Sequence, residues 1–340
     1  MTLGKKLAGT VAAGLLLAAT PFASAEAMVE RSVCVFDIAG ASGDIFNIMN
    51  DYKAAALGWG VDLTLKAYTD EKIALEDFKG GVCDAVELTG IRARALNKYT
   101  GTLAAVGAIP DYDVMRTTLK VLASGSPSIV EKLTTGPNQV AGIVPMGAAY
   151  LFVSDRSVNT VNKLSGKKIS VMDYDPQQAR MASIAGMTPV PSDITNFAGR
   201  FNNHSVDISF APIAAYDALE MYKGLEPNGG IVRFVLGQLV AEVIIASDRF
   251  PDGFAQNSRE WMFAQFDRAM KIIQNAEEAV DPKWWMDIPQ ADAVEYNELL
   301  RRSRIIMTEE GLYDPDMTNL LFKVRCSMDS SRGECADNKE

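Results

Sequence analysis

Histidine is nearly absent from this chain: His204 is the only one among 340 residues, and it stands beside Asn202, Asn203 and Ser205 in a polar stretch. Acid–base catalysis usually leans on histidine, and neither a nucleophile-elbow pattern nor a metal-ligand pair takes its place. The expectation is a protein that is not an enzyme, with a hydrolase as the weakest alternative and no catalytic residue assigned. No C-x-x-C occurs, so the cysteines do not read as a zinc site, and neither metal nor cofactor is expected. Positive charge is in deficit, 33 Lys and Arg against 43 Asp and Glu, which disfavours nucleic acid and anionic lipid as partners. Long hydrophobic runs are missing too. The apolar stretch Leu7–Ala19 is shorter than the roughly 20 residues a bilayer-spanning helix needs, and no later stretch is both apolar and that long, so stable membrane insertion is not expected.

What is present begins with a leader. Lys5 and Lys6 precede the Leu7–Ala19 run, and Ala23-Ser24-Ala25 offers small residues for cleavage, so residues 1–25 read as a secretory signal peptide. The expected destination is the periplasm, and the absence of a cysteine at the cleavage point argues against a lipid anchor. The remaining chain is long enough for two domains with their own cores. Its four cysteines, Cys34, Cys83, Cys326 and Cys335, form an even set in an oxidising compartment. Spacing alone leaves the connectivity open. The simplest pairing closes the short polar segment between Cys326 and Cys335 and leaves Cys34 for Cys83.

From Val33 onward, short β-rich runs alternate with helical periodicity. The strands expected are 32–36, 61–65, 82–86 and an apolar run at 103–109, with a helix from Asp70 that turns Ile73 and Phe78 inward. A second series holds 148–153, 168–172, a helix over 176–185, 188–190, a helix around 194–201, and 206–210. A long β-rich run from Val232 to Ile245, interrupted at Gly237, returns the chain, and only helices follow it. Ser258, Pro289 and Asp314-Pro315 read as helix starts. The pattern predicts an α/β, two-lobed binding-protein fold with parallel-rich sheets flanked by helices. Lobe one spans 26–147 plus 239–256, lobe two spans 148–238, and 257–340 forms C-terminal helices and a disulfide-closed tail.

The stretch from Leu164 through Gly166, Lys168 and Ile169, followed by Gly186-Met-Thr-Pro-Val190, and then Val206-Asp207 with Pro212, resembles the second lobe of TRAP-transporter solute receptors. Gly81-Val-Cys-Asp84 and the run from Ile244 to Phe250 are similar to elements of that family's first lobe and return strand. The resemblance implies a receptor that closes by hinge bending on a small-molecule solute and delivers it to inner-membrane permease subunits. It also implies ligand positions at Ser170, Asp207 and Ala211, although that family usually has a carboxylate-clamping arginine where Ser170 stands and commonly an asparagine where Ala211 stands. Arg180, on the following helix, is the candidate substitute cation. The alternative to a permease partner is an accessory role in an efflux or export system, for which the long heptad hairpin of such adaptors is missing.

Ligands of open α/β sheets bind beyond the carboxyl ends of the strands. Asp37, Glu87, Asp111 and Asp173 stand at or near such ends, with Tyr174, Phe210 and Tyr216 as candidate aromatic walls. The expected ligand is cationic or polyhydroxylated, not a simple dicarboxylate, because aromatic faces beside carboxylates suit cations and sugar rings. The competing role of each carboxylate is to cap the next helix.

Overall fold

The computed structural model describes residues 28–337 together with Met1, Thr2 and Gly4; the expected signal peptide lies almost wholly outside the described residues. Lobe one opens with β1 (Val29–Phe36), α1 (Asp44–Leu57), β2 (Val61–Tyr68), α2 (Glu71–Lys79) and β3 (Ala85–Thr89). Helices α3 (Gly90–Ala93), α4 (Lys98–Gly101), α5 (Tyr112–Leu122) and α6 (Pro127–Lys132) follow, then the short β4 (Thr134–Thr135) and the long β5 (Asn138–Val153). Lobe two contains β6 (Lys168–Met172), α7 (Pro176–Ile184), β7 (Thr188–Ser192), α8 (Phe197–Asn202), β8 (Ile208–Pro212), α9 (Ala214–Ala218) and α10 (Tyr222–Leu225). The chain returns along β9 (Gly230–Ala246) and ends with α11 (Phe254–Ala264), α12 (Phe266–Ala279), β10 (Trp285–Met286), α13 (Gln290–Glu309), α14 (Pro315–Met328) and α15 (Gly333–Asp337).

One path of pairing runs through both lobes in the order β2-β1-β3-β9-β5-β8-β6-β7. The outer strands of each lobe pair in parallel, β1 with β2 and β3, β6 with β7 and β8. The two longest strands, β5 and β9, form an antiparallel ribbon whose ends belong to different lobes: β3 joins β9 over Ala241–Ile245, and β8 joins β5 over Ala149–Val153. Each lobe therefore has a mixed sheet, and among the described residues the ribbon's middle is the only strand connection between them. Three register irregularities fall along it, one between Pro145 and Gly147. Gly147 has φ +101, and a Cβ there would stand 3.0 Å from Ile273 Cγ2. Gly147→Ala is expected to destabilise the protein by about 2 kcal/mol, since the backbone conformation disfavours any side chain. Denaturant melting checks this, and an unchanged midpoint would show that the bulge can relax.

Local signals explain most element starts. Asp70, Asp111, Asp175 and Asp314 cap α2, α5, α7 and α14 through their side chains, and Pro176 and Pro315 occupy first-turn positions. Both disulfides form, Cys34–Cys83 and Cys326–Cys335, the first tying β1 to the turn before β3 and so making the first and third strands neighbours. The tail disulfide brings Glu334 onto the buried Arg325, at 2.8 Å.

Several expectations are corrected. The 103–109 run is not a strand: Thr102–Ala104 is a 3-10 turn, and the segment then breaks at Gly107, φ +63, whose N–H bonds Leu236 O at 2.7 Å. It is apolar because it is a buried plug against the ribbon. The third strand starts at Ala85, because Gly81, φ +76, keeps Val82 in an exposed turn. Ile73 points outward, and Ala74, Leu75 and Phe78 fill the core face of α2. The backbone of β9 runs on through Gly237, which pairs with Ala149, while its pairing with β5 breaks there and resumes at Val232 opposite Leu151. Helix α11 begins four residues before Ser258, after Gly253 at φ +79, and the Ser258 hydroxyl bonds Tyr52 Oη at 2.8 Å inside the core. The helical tail is interrupted by β10, which adds to the first residues of β9.

Candidate ligand-binding site

The carboxyl ends of β1, β3, β6 and β8 converge on the mid-ribbon and enclose a cavity of about 700 Å³ between the lobes. Lobe one contributes Asp37, Ile45, Glu71 and Thr89; lobe two contributes Met172, Tyr174, Phe197 and Phe210; Pro145–Ala148 and Leu239 come from the ribbon, and Ile273, Ala276 and Glu277 from α12. The walls are largely apolar. Among the described residues lining it there are five carboxylates, Asp37, Asp44, Glu71, Asp217 and Glu277, and no lysine, arginine or histidine. A smaller cavity of about 70 Å³ adjoins it and shares Ile91, Gln178, Phe210 and Leu239.

Polar contacts hold the lobes together at the inner edge of the cleft. Glu71, in the first turn of α2, is fully buried; it accepts from Thr89 Oγ1 at 2.6 Å and from the Tyr174 hydroxyl, and Arg92 Nε stands 3.4 Å away. Burial pushes its carboxyl above the usual range, against the pull of Thr89, Tyr174 and Arg92. The Arg92 guanidinium lies 3.2 Å from the Tyr174 ring centroid, a cation–π contact across the lobes. Next to it, Arg94 of lobe one pairs with Asp175 of lobe two at 2.7 Å and donates to Gly101 O. Below the cleft, Glu87 is buried with Oε2 lacking a hydrogen-bond partner, and burial, then the charges of Asp37 and Glu71, push it well above the usual carboxyl range.

The structure gathers only part of the residues expected from sequence. Asp37, Tyr174 and Phe210 line the large cavity, and Ser170 and Phe210 line the small one. Asp37 nonetheless spends its oxygens on the N–H groups of Ala39, Ile45 and Phe46, which seats the start of α1, and Gly43 leaves room for it. Glu87 lies beneath the cavity, outside its lining. Asp111 caps α5, Asp173 is exposed, Arg180 pairs with Glu310 on the surface, and Asp207 receives the Lys168 N–H at 2.7 Å. Ala211 and Tyr216 are buried in the lobe-two core. Residues not expected were Glu71, Thr89, Arg92, Arg94, Gln178 and Glu277. For Glu71 a signal existed, a helix start one residue after the capping Asp70; for Glu277 none did, because it is one of several acids along an amphipathic helix.

Two α/β lobes crossed by a two-strand ribbon, with a cleft at the carboxyl ends of the strands, form the fold of the TRAP periplasmic solute-binding proteins. Over 89% of this chain and 99% of the other, the fold matches the TRAP receptor of Desulfovibrio desulfuricans holding sn-glycerol-3-phosphate, with TM-score 0.72 at 14% identity. A receptor from Ralstonia eutropha H16 holding (S)-2-acetolactate matches over 87% and 98%, with TM-score 0.67 at 13% identity. The particular family is the solute-binding proteins AdeT 1/2, to which this chain belongs: the family's model matches residues 54–340. The probable solute-binding protein AdeT1 of Acinetobacter baumannii is 46% identical over 306 residues, covering 90% of this chain and all of the relative. The protein is accordingly a solute-binding protein, not an enzyme. No described helix is long and apolar enough to cross a membrane.

Proposed function

We propose that the protein is a periplasmic receptor that closes over an organic cation with an apolar body and passes it to a membrane permease. The observation that carries this reading is the lining: a large, mainly apolar cavity with five carboxylates and, among the described residues, no basic side chain. An anionic solute would enter such a site without a counter-charge, and burying an unpaired charge is strongly unfavourable. A cation finds carboxylates and the faces of Tyr174 and Phe210. A sugar would need many more hydrogen-bonding groups than these walls offer, so the cationic option is favoured over the polyhydroxylated one.

Ser170 supports the same conclusion. Where the resembling receptors usually carry a clamping arginine, this chain has a small hydroxyl bonded to Ser192 Oγ at 2.9 Å, and the inner-cleft arginines are committed elsewhere, Arg94 to Asp175 and Arg92 to Glu71 and the Tyr174 ring. The two structural relatives named above hold anions, glycerol phosphate and acetolactate; this lining supports the opposite sign. The lobes divide where the ribbon crosses the cleft, near residues 147–148 and 238–239, and the helices from residue 257 to residue 337 pack across them. Delivery to the periplasm through residues 1–25 completes the reading. A thermal-shift panel of alkyl and aryl amines, sugars and carboxylates tests it: amines are expected to raise the melting temperature by several degrees at saturating concentration, whereas stabilisation by carboxylates alone would sink the reading.

A further inference from the structure

The five carboxylates are not equivalent. Asp37 is saturated by backbone N–H groups, and Glu71 is shared among Thr89, Tyr174 and Arg92. Asp44 and Asp217 are exposed at the rim, where water screens them. Glu277 differs from all four. It is half-buried on α12, and one of its oxygens, Oε1, accepts from two phenols, Tyr112 Oη at 2.9 Å and Tyr150 Oη at 3.0 Å. Tyr112 Oη is itself held by the Ala148 N–H at 3.2 Å, so the chain of bonds runs back into the ribbon. The other oxygen, Oε2, has no hydrogen-bond donor among the described residues. Arg233, the basic side chain on the far side of Tyr150, is paired with Asp287 and stacked on Trp285.

We propose that Glu277 is the carboxylate that recognises the ligand's ammonium group, oriented by Tyr112 and Tyr150 so that Oε2 faces the cavity. This assignment rests on the organic-cation reading and names its charged subsite. Two donors on one oxygen fix the side chain without consuming the second oxygen, which is how a preorganised acceptor is built. Burial, and then the nearby Glu277 charge, push both phenols well above their ordinary value, so they stay donors throughout the working pH range. Ile273 and Ala276, on the same helix and also in the lining, supply an apolar wall for the ammonium's substituents. The ligand class is therefore a primary or quaternary ammonium carrying an alkyl or aryl body.

Glu277→Gln separates charge from structure, because the amide oxygen still accepts from both tyrosines while the negative charge is gone. Calorimetric titration with benzyltrimethylammonium and phenethylamine, and with 2-phenylethanol as the uncharged comparison, is expected to show a loss of about tenfold or more for the two cations. The alcohol's affinity and the melting temperature should be unchanged, and Glu278→Gln, on the exposed side of α12, should bind as wild type does. Tyr112→Phe, which keeps the ring and removes one donor, is expected to weaken cation binding by about threefold and leave the alcohol unaffected. Wild-type binding of the cations with equal binding by Glu277→Gln would overturn the subsite and leave the cationic reading standing. No binding of either cation to the wild type would overturn both.

Discussion

Arg94→Ala is expected to lower the unfolding free energy by about 3–5 kcal/mol, the usual consequence of breaking a buried ion pair from one side. Asp175 is 3% exposed and would lose its buried partner, and Gly101 O would lose two donors. The loss goes beyond local packing because the pair joins the lobes: Arg94 follows β3 and α3, whereas Asp175 caps the helix after β6. A second measurement separates the two consequences. Small-angle scattering of the variant should show a larger radius of gyration, since the contacts left at the inner edge are those of Glu71 and Arg92 with Tyr174. A melting temperature within a degree of wild type would show that Asp175 finds water or another donor when Arg94 is removed, and would sink the prediction.

The second large effect concerns pH. Glu242, buried at the middle of β9, accepts from Thr100 Oγ1 at 2.7 Å, leaves Oε1 without a partner, and has its carboxyl pushed up to about 8 by burial, with Thr100 and the Arg94 charge opposing. A carboxyl raised in the folded state binds a proton that the unfolded chain has released, so its contribution is full below the ordinary carboxyl range and is lost as pH rises to about 8. Glu87 and Glu71 are displaced in the same direction. The wild type is therefore expected to melt at a higher temperature at pH 5 than at pH 8. Glu242→Gln should be close to neutral near pH 4 and stabilising by roughly 2–4 kcal/mol at pH 8–9, because holding a proton tenfold more tightly in the folded than in the unfolded chain is worth about 1.4 kcal/mol, less whatever the surroundings of the charged form recover by relaxing. A stability difference between the two proteins that does not change with pH would contradict the buried-acid account. Because Arg94 opposes the rise at Glu242, the Arg94 and Glu242 substitutions should not be additive.

These carboxyls mark the boundary of what could be read in advance. Asp111 was visible as an acid at the end of a run, and its role as a cap follows from the same local geometry, because a cap reaches only two or three residues along the chain. Asp37 was visible as a strand-end acid, yet its oxygens are taken up by the start of α1, a few residues on. Tyr174 was legible as an aromatic near the cleft, but not its contacts with Glu71 and Arg92 from the other lobe. The 103–109 run misled for a related reason: burial on all sides gives the same apolar composition to a central strand and to an irregular plug.

The β–α alternation of both lobes, the capped starts of α2 and α14, the local Cys326–Cys335 disulfide and the resemblance to a solute-receptor family were determined by the sequence itself, since each rests on spacings of a few residues or on an ordered set of short motifs. The tertiary structure decided that β5 and β9 form one ribbon through both lobes, and which acids face the cleft. Tyr174 reaches Glu71 across 103 residues, and Tyr112 and Tyr150 reach Glu277 across 165 and 127. The periodicity of a helix or strand says which face is buried, but which distant partner lies against that face is settled only when the lobes pack.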